Sequence, residues 1–463
     1  MSAERTPEVW LPHHDEELWK VFVSVEEELR KVETLRKGVI LLSSLAAERA
    51  GEVRDKYADA RHMMLSTDPE EGLDWESEEL VPGGVDAMLK AVVDSALKLP
   101  LLFPPETPLG KLGFDDEDAV SSVVVLDVDQ VYALMSAAFL GLFPPEQWSF
   151  KRIFSSSTEG SSRAKACGIV HYLARVGQRD GGGEEPKGVL RWERVRVPKD
   201  GVPNWAESGK RVGMLEFENG LCAHSDGSIE DDGEGMLQAD FANARLGGGV
   251  LGRGCVQEEI RVGITNPQLL VGLLLAPDEM QENEVILMSG SERFSDYEGY
   301  GRRTVWGGPH TDGTFRDPES GSFATAIVAF DALPFPFTKR WNQFSKRAID
   351  RELLKAYAAF LDAPNANAPS SIPIATGNWG CGAFGGHIEL KVLIQVLAGA
   401  QARRPIAYFT FGRSGLAQKV NAMARRFSDL AIAVSELYVF VVEFVVGSGG
   451  ADGLIDAVLA WDA

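Results

Sequence analysis

SIPIATGNWGCGAFGGHIELKVLIQVLAGAQA, residues 371–402, runs from a strand-like stretch through a glycine-rich turn into a helix-like stretch. Residues 371–376 are the strand, residues 387–402 carry apolar side chains at helical spacing, and between them Gly380, Gly382 and Gly385 meet the G-x-G-x-x-G spacing. A strand before and a helix after are the context a diphosphate-binding turn requires, because the helix N-terminus and bare backbone N–H groups then face the anion. The dinucleotide fingerprint also needs an acid roughly 20 residues onward to hold ribose hydroxyls. None occurs from Leu390 through Ser428, and the next strand ends instead in Tyr408-Phe409-Thr410-Phe411-Gly412. This pattern fits a diphosphate ligand whose nucleoside is held differently, and it argues against a nicotinamide-dependent oxidoreductase.

The same alternation extends on both sides of this segment. Strands are expected at Val189–Val197, Met214–Phe217, Val285–Met288, Thr325–Phe330, Ile372–Thr376 and Ile406–Phe411, and helices at Gln257–Val262, Lys346–Leu361, His387–Gln401 and Leu416–Phe427. Short apolar strands separated by helices predict an α/β sheet covered on both faces. The first ~100 residues read as helical, with Asp15–Leu35 and Val85–Leu97 apolar at helical spacing, and Gln130–Leu142 reads as a buried helix. Ser155–Lys165 and Gln178–Lys187 are polar and glycine-rich and are expected to be surface loops, while Gly447–Gly453 reads as a loop before a final short helix. The division expected is an N-terminal helical region over residues 1–188 and a sheet-containing domain over 189–463, forming one integrated unit.

A second glycine-rich run, Gly247-Gly248-Gly249-Val250-Leu251-Gly252-Arg253-Gly254-Cys255-Val256-Gln257-Glu258-Glu259, ends on an amide and two carboxylates and follows Asp240-Phe241-Ala242-Asn243. Five glycines permit close backbone approach to a ligand, so the run reads as a phosphate or sugar cradle feeding an acid. Glu258 and Glu259 are adjacent, so on a helix their side chains diverge by about 100° and one faces the reacting bond while the other orients the ligand.

The triple glycine followed by Gln-Glu-Glu, with Asp-Phe-Ala-Asn before it, resembles the signature of the poly(ADP-ribose) glycohydrolases. The likeness is dense from about Leu99 to Phe444 and weak before residue 80. It implies a macrodomain-like mixed β-sheet sandwiched by helices, with an N-terminal helical layer. It also implies hydrolysis of ribose–ribose O-glycosidic bonds in poly(ADP-ribose), mainly from chain ends, releasing ADP-ribose and sparing the unit joined to protein. By this resemblance Glu259 is the general acid/base, its carboxyl raised by desolvation and the ligand diphosphate, and Glu258 binds ribose hydroxyls. Asp240 and Asn243 support the site, Gly247, Gly248 and Gly249 contact the ligand, and Gln257 reaches the base or sugar. The resemblance further implies that Gly377, Asn378, Gly380, Cys381, Gly382, Ala383, Phe384 and Gly385 wrap the diphosphate and that Phe411 stacks on adenine. Ile229 borders the adenine pocket, and Tyr300 and Tyr297 touch the ligand. Read without the resemblance, Phe411 is a core aromatic at a strand end, the tyrosines lie in a turn and Ile229 is packing.

Composition bounds the partners. The chain has 463 residues and a net charge of −22, so global attraction cannot hold a long polyanion, and binding must come from local N–H groups and arginines such as Arg253, Arg302 and Arg303. The expected partners are poly(ADP-ribose), its product ADP-ribose and poly(ADP-ribosyl)ated proteins, with no sequence-specific nucleic acid and no membrane. No run approaches 18 apolar residues, and the first residues carry no export or import pattern. Four scattered cysteines without Cys-x-x-Cys spacing suggest a reducing compartment and neither disulfide framework nor zinc site. The expectation is a monomer with no cofactor and no metal, acting in the nucleus or cytoplasm in the DNA damage response. A macrodomain that only recognises ADP-ribose is the alternative; it would need the diphosphate turn but not the Gln257-Glu258-Glu259 triplet.

Overall fold

A computed structural model describes residues 9, 11–14, 19 and 77–461, apart from 105, 115, 145–146, 156–159, 180–187, 214–219 and 364–367. The strand expected at Met214–Phe217 lies outside the described residues, as does the helix expected at Asp15–Leu35 except for Trp19. The main helices are α1 (Val85–Ala96), α2 (Val128–Phe139), α3 (Gly160–Gln178), α4 (Gln257–Ile260), α5 (Lys346–Phe360), α6 (Ile388–Ala402), α7 (Ser414–Leu430), α8 (Val434–Ser448) and α9 (Leu454–Ala460). The strands are β1 (Ser121–Asp127), β2 (Val189–Arg196), β3 (Leu221–His224), β4 (Leu237–Asp240), β5 (Glu284–Gly290), β6 (Ser295–Glu298), β7 (Val305–Pro309), β8 (Phe323–Ala329), β9 (Ile374–Gly377) and β10 (Ile406–Phe409).

Eight strands form one mixed sheet in the order β1-β2-β5-β8-β4-β9-β10-β3, while β6 and β7 make a separate hairpin. The β8-β4-β9-β10-β3 half is parallel, and β5, β2 and β1 continue it antiparallel. The two-residue period of a strand splits the side chains between two cores. On β5, Ile286 and Met288 join the cluster under α1, α2 and α3, whereas Val285 and Leu287 join the one under α5 to α9; Ile327 and Ala329 on β8 part from Ala326 and Val328 in the same way. The expected α/β class with a sheet covered on both faces is therefore what forms.

Local sequence explains the boundaries. Asp127 closes β1 and caps α2, its carboxylate accepting the N–H of Gln130 at 2.8 Å while the Gln130 side chain accepts the N–H of Asp127 at 3.1 Å. Helix α6 is buried on nearly all sides because it packs against both α5 and α8, and its sequence accordingly carries apolar residues on every face, with Lys391 and Gln395 buried among them. Two features differ from the sequence reading. Residues from Gly160 onward, expected in a surface loop, begin α3, and Lys165 and its neighbours there are buried. The sequence reading also leaves out strands β1, β3, β4, β6 and β7 and helix α8; β3 and β4 have only four residues each, and all four of β4 are buried.

Candidate active site

In a parallel sheet, ligands collect beyond the carboxyl ends of the strands, where loops and helix N-termini converge. At that edge β4 ends on Asp240, β9 ends on Gly377 and enters the diphosphate-type turn, and β10 runs through Thr410 into Phe411. The registers place these ends side by side, with Phe409 opposite Gly377 and Gln238 opposite Ala375.

The glycine loop 247–254 folds over the N-terminus of α4. Glu258 accepts the backbone N–H of Gly247 at 2.5 Å and of Asn243 at 2.9 Å, and Glu259 accepts those of Gly249 at 2.9 Å and Val256 at 2.8 Å. Adjacency on the helix therefore does not keep the two carboxylates apart. The loop wraps the helix start so that both carboxylates meet it at Gly248, where a Cβ would stand 2.7 Å from Glu258 Oε2 and 2.8 Å from Glu259 Oε1. Gly248 also has φ +49°, so glycine is required there on two counts. The cradle reading needs a matching correction: the N–H groups of Gly247 and Gly249 are taken by the protein's own glutamates. The amide of Gln257 is likewise engaged, accepting the N–H of Phe241 at 2.8 Å and donating to Ala239 O at 3.1 Å, so it splices α4 onto the end of β4.

Beneath the loop lies a residue that sequence reading missed. Lys165 of α3 is fully buried, and its ammonium donates to the carbonyls of Val250 at 2.9 Å, Gly252 at 2.7 Å and Gly254 at 2.7 Å. Burial lowers its pKa, while nearby Cys255 and Glu259 act the other way. The loop is thus held from both sides, its carbonyls by Lys165 and its N–H groups by the glutamates. The only sequence hint is the small-residue run around it, Ala164 to Gly168, which suits a closely packed helix.

Three carboxyl groups share this buried patch. Asp240 is fully buried and, among the described residues, neither of its carboxyl oxygens has a hydrogen-bond partner. Burial raises its carboxyl to about 8, partly opposed by the Arg261 guanidinium and assisted by Glu259. Glu258 is also raised well above the usual carboxylate range, first by burial and then by Asp240, against the two N–H groups it accepts. Adjacent acids in low dielectric cannot all ionise, so the cluster retains protons near neutral pH. Arg261, buried in the π-helical turn Arg261–Thr265 that continues α4, is hydrogen-bonded to Gln238 and supplies the cluster's local positive charge.

The turn after β9 is tied down from below. Asn378 donates to Thr410 O at 3.3 Å and accepts from the Tyr408 hydroxyl at 3.1 Å, while Trp379 donates to Phe330 O at 3.1 Å and carries the Lys391 ammonium 3.6 Å from its ring centre. Cys381 N–H closes on Asn378 O and Gly386 N–H on Gly380 O. Among the described residues no protein acceptor takes the N–H groups of Gly382, Ala383 and Phe384, and Gly382 and Ala383 are exposed. This is a row of donors open to an anion. Phe411 stands over the start of the turn: a Cβ on Gly377 would lie 2.8 Å from its ring, and it is half-exposed at φ +52°. A bulky residue held in the left-handed region is costly and marks a position fixed by its surroundings, here by Thr410 and Gly412 bonded to His224 O and Ser225 O.

The remaining expected residues divide. Tyr300 follows the β6 strand and is more than half exposed, its hydroxyl facing the N–H of Gln257. Tyr297 is half-buried against Cys255 and Ile260. Asn243 is exposed at the loop entrance, whereas Ile229 is buried in the core, on a short helical turn packed against β4 and β9. Arg302 and Arg303 are exposed in the turn after Tyr300, and Arg253 is exposed within the glycine loop.

The sequence that builds this site, with two glutamates bonded by a glycine loop beside an open glycine-rich turn, is similar to known sequences. A family model described as poly(ADP-ribose) glycohydrolase, macro domain fold, matches residues 202–418, and a second, described as the helical domain of the same enzyme, matches residues 85–194. The chain belongs to the poly(ADP-ribose) glycohydrolase family. Similar proteins include a probable poly(ADP-ribose) glycohydrolase 2 of Arabidopsis thaliana, 29% identical over 70% of this chain and 69% of the relative. Poly(ADP-ribose) glycohydrolase 1 of Arabidopsis thaliana is 32% identical over 64% of this chain and 65% of the relative, and glycohydrolase 2 of Caenorhabditis elegans is 38% identical over 56% and 53%. The matches thus span from about half to just over two thirds of these relatives' length. Glycohydrolases of this family are glycosidases of macrodomain fold. The mixed sheet fits that fold, with the glycine loop in the macrodomain match and Lys165 in the helical one.

Proposed function

We propose that this chain hydrolyses the ribose–ribose O-glycosidic bonds of poly(ADP-ribose), working mainly from chain ends and releasing ADP-ribose, with Glu259 as general acid and base. The observation that carries this reading is the convergence of Glu258 and Glu259 on Gly248, beside Asp240 and within one strand edge of the open N–H groups of Gly382, Ala383 and Phe384. A module that merely recognises ADP-ribose needs the second half of that arrangement and not the first.

In this mechanism the diphosphate lies on the turn after β9 and the adenine on Phe411, which brings the terminal ribose to the glycine loop. Glu259 gives its proton to the departing ribose oxygen as the C–O bond breaks, and that oxygen keeps the bonding pair. The positive charge that develops on the sugar is an oxocarbenium-like state, stabilised by the Glu259 carboxylate that the proton transfer leaves. Water then attacks the anomeric carbon and passes its proton to the Glu259 carboxylate, restoring the starting form. Glu258, anchored by two N–H groups, positions ribose hydroxyls. Asp240, holding a proton through burial, limits the negative charge of the cluster. The same reading spares the last ADP-ribose on a modified protein, because the site fits a ribose–ribose link, and places the chain where the polymer is made, in the nucleus or cytoplasm.

Polymer length followed over time tests the mode of cutting. End-directed cleavage gives monomeric ADP-ribose from the first time point while long chains shorten gradually. Early accumulation of mid-length fragments without monomer contradicts it.

A further inference from the structure

Residues 332–349, ALPFPFTKRWNQFSKRAI, contain four basic residues and no acid in a chain whose net charge is −22. In the structure this stretch borders the diphosphate turn. Phe335 N–H donates to Phe384 O at 2.7 Å, the buried Gln343 accepts the N–H of His387 at 2.6 Å, and Arg340 Nε lies 3.4 Å from where a Cβ on Gly385 would stand. From this anchored base two large rings project into solvent, Phe337 at 81% exposure and Trp341 at 64%. The Arg340 guanidinium lies 5.3 Å from the Phe337 ring centre, and among the described residues neither Lys339 nor Arg340 has an ion-pair partner. Exposed aromatics grouped on one anchored turn are uncommon unless something covers them. Rings that stack on bases, flanked by cations that meet phosphates, are how proteins track a single-stranded polyanion without reading its sequence.

We propose that the Phe337–Trp341 ledge is a second binding subsite, taking the ADP-ribose unit that adjoins the one in the catalytic site. Its adenine stacks on Phe337 or Trp341 and its diphosphate meets Lys339 and Arg340. The inference rests on the reading of the chain as a poly(ADP-ribose) hydrolase. It resolves the charge problem posed by the sequence: the chain repels a polyanion overall and holds it through one acid-free ledge continuous with the diphosphate turn.

The test compares wild type with the Phe337→Ala, Trp341→Ala double variant, and separately with Lys339→Glu, on protein-free polymer of about 20 units and on free ADP-ribose. Both variants change exposed side chains, and thermal unfolding checks that they fold. The expected result is a rise in KM for polymer of about tenfold in the double variant, with kcat and the Kd for free ADP-ribose unchanged. A smaller rise that shrinks with added salt is expected for Lys339→Glu. Unchanged KM for polymer in both variants, with wild type active, overturns the ledge and leaves the hydrolase reading standing. Wild type that fails to release ADP-ribose at all overturns the hydrolase reading instead. Variants impaired only on polymer attached to protein show that the ledge takes the carrier protein, which also overturns the proposal.

Discussion

Replacing Lys165 by Met keeps most of the buried stem and removes the ammonium that three loop carbonyls share. The Val250 carbonyl is buried, and leaving such an acceptor unpaired costs about 1–3 kcal/mol; the Gly252 and Gly254 carbonyls are half-buried and recover part of their loss from water. The expected loss of stability is therefore roughly 3 kcal/mol. The kinetic consequence is distinct, because the loop released on its carbonyl side no longer fixes the N–H groups that aim Glu259, and a misplacement of about 1 Å costs on the order of 100-fold in rate. Urea unfolding, steady-state hydrolysis and calorimetric titration with ADP-ribose separate these effects. The diphosphate turn and Phe411 do not touch Lys165, so ADP-ribose affinity should stay within a few-fold. A variant with kcat within about twofold of wild type would show that the clamp does not position the acid, and the reasoning would be refuted.

Other substitutions probe the remaining contacts. Gly248→Ala places a methyl within 2.8 Å of both glutamates at φ +49°, and kcat should fall by at least about 100-fold without loss of the fold as monitored by circular dichroism. Phe411→Ala should weaken ADP-ribose binding roughly tenfold by calorimetry, since stacking on a base contributes about 1–3 kcal/mol. For Asp240, the folded chain holds a proton that the unfolded chain releases above its ordinary value of 3.8. Stability from this group is therefore complete below that pH and is lost as pH rises through about 8. Asp240→Asn removes the titration, and urea unfolding at about pH 5 and about pH 9 should show a smaller decline than wild type.

The parts of this molecule that repeat a period were readable from its sequence. Strands β2, β5, β8, β9 and β10 and helices α5, α6 and α7 follow from apolar runs bounded by glycine, proline or charge, and the turn after β9 from its glycine spacing. Four-residue β3 and β4 carry too little pattern to stand out, although β4 delivers Asp240. The polar opening of α3 resembled a loop because its burial comes from the glycine loop packing on it, a contact 85 or more residues away in sequence. The same distance hid Lys165: a lysine in a sequence reads as surface, and only the fold brings the carbonyls that hold it. The acids themselves were legible, but their convergence on Gly248 was not, since it depends on the loop wrapping the helix start rather than on helix periodicity.

The central claim is that Glu259 performs the proton transfers of hydrolysis. Mass spectrometry of the products formed from protein-attached poly(ADP-ribose), with wild type and Glu259→Gln side by side, tests it most directly. The account predicts free ADP-ribose and mono-modified protein from wild type, and no release from the variant even though it still binds ADP-ribose. Release of ADP-ribose by Glu259→Gln at a rate near that of wild type would contradict it.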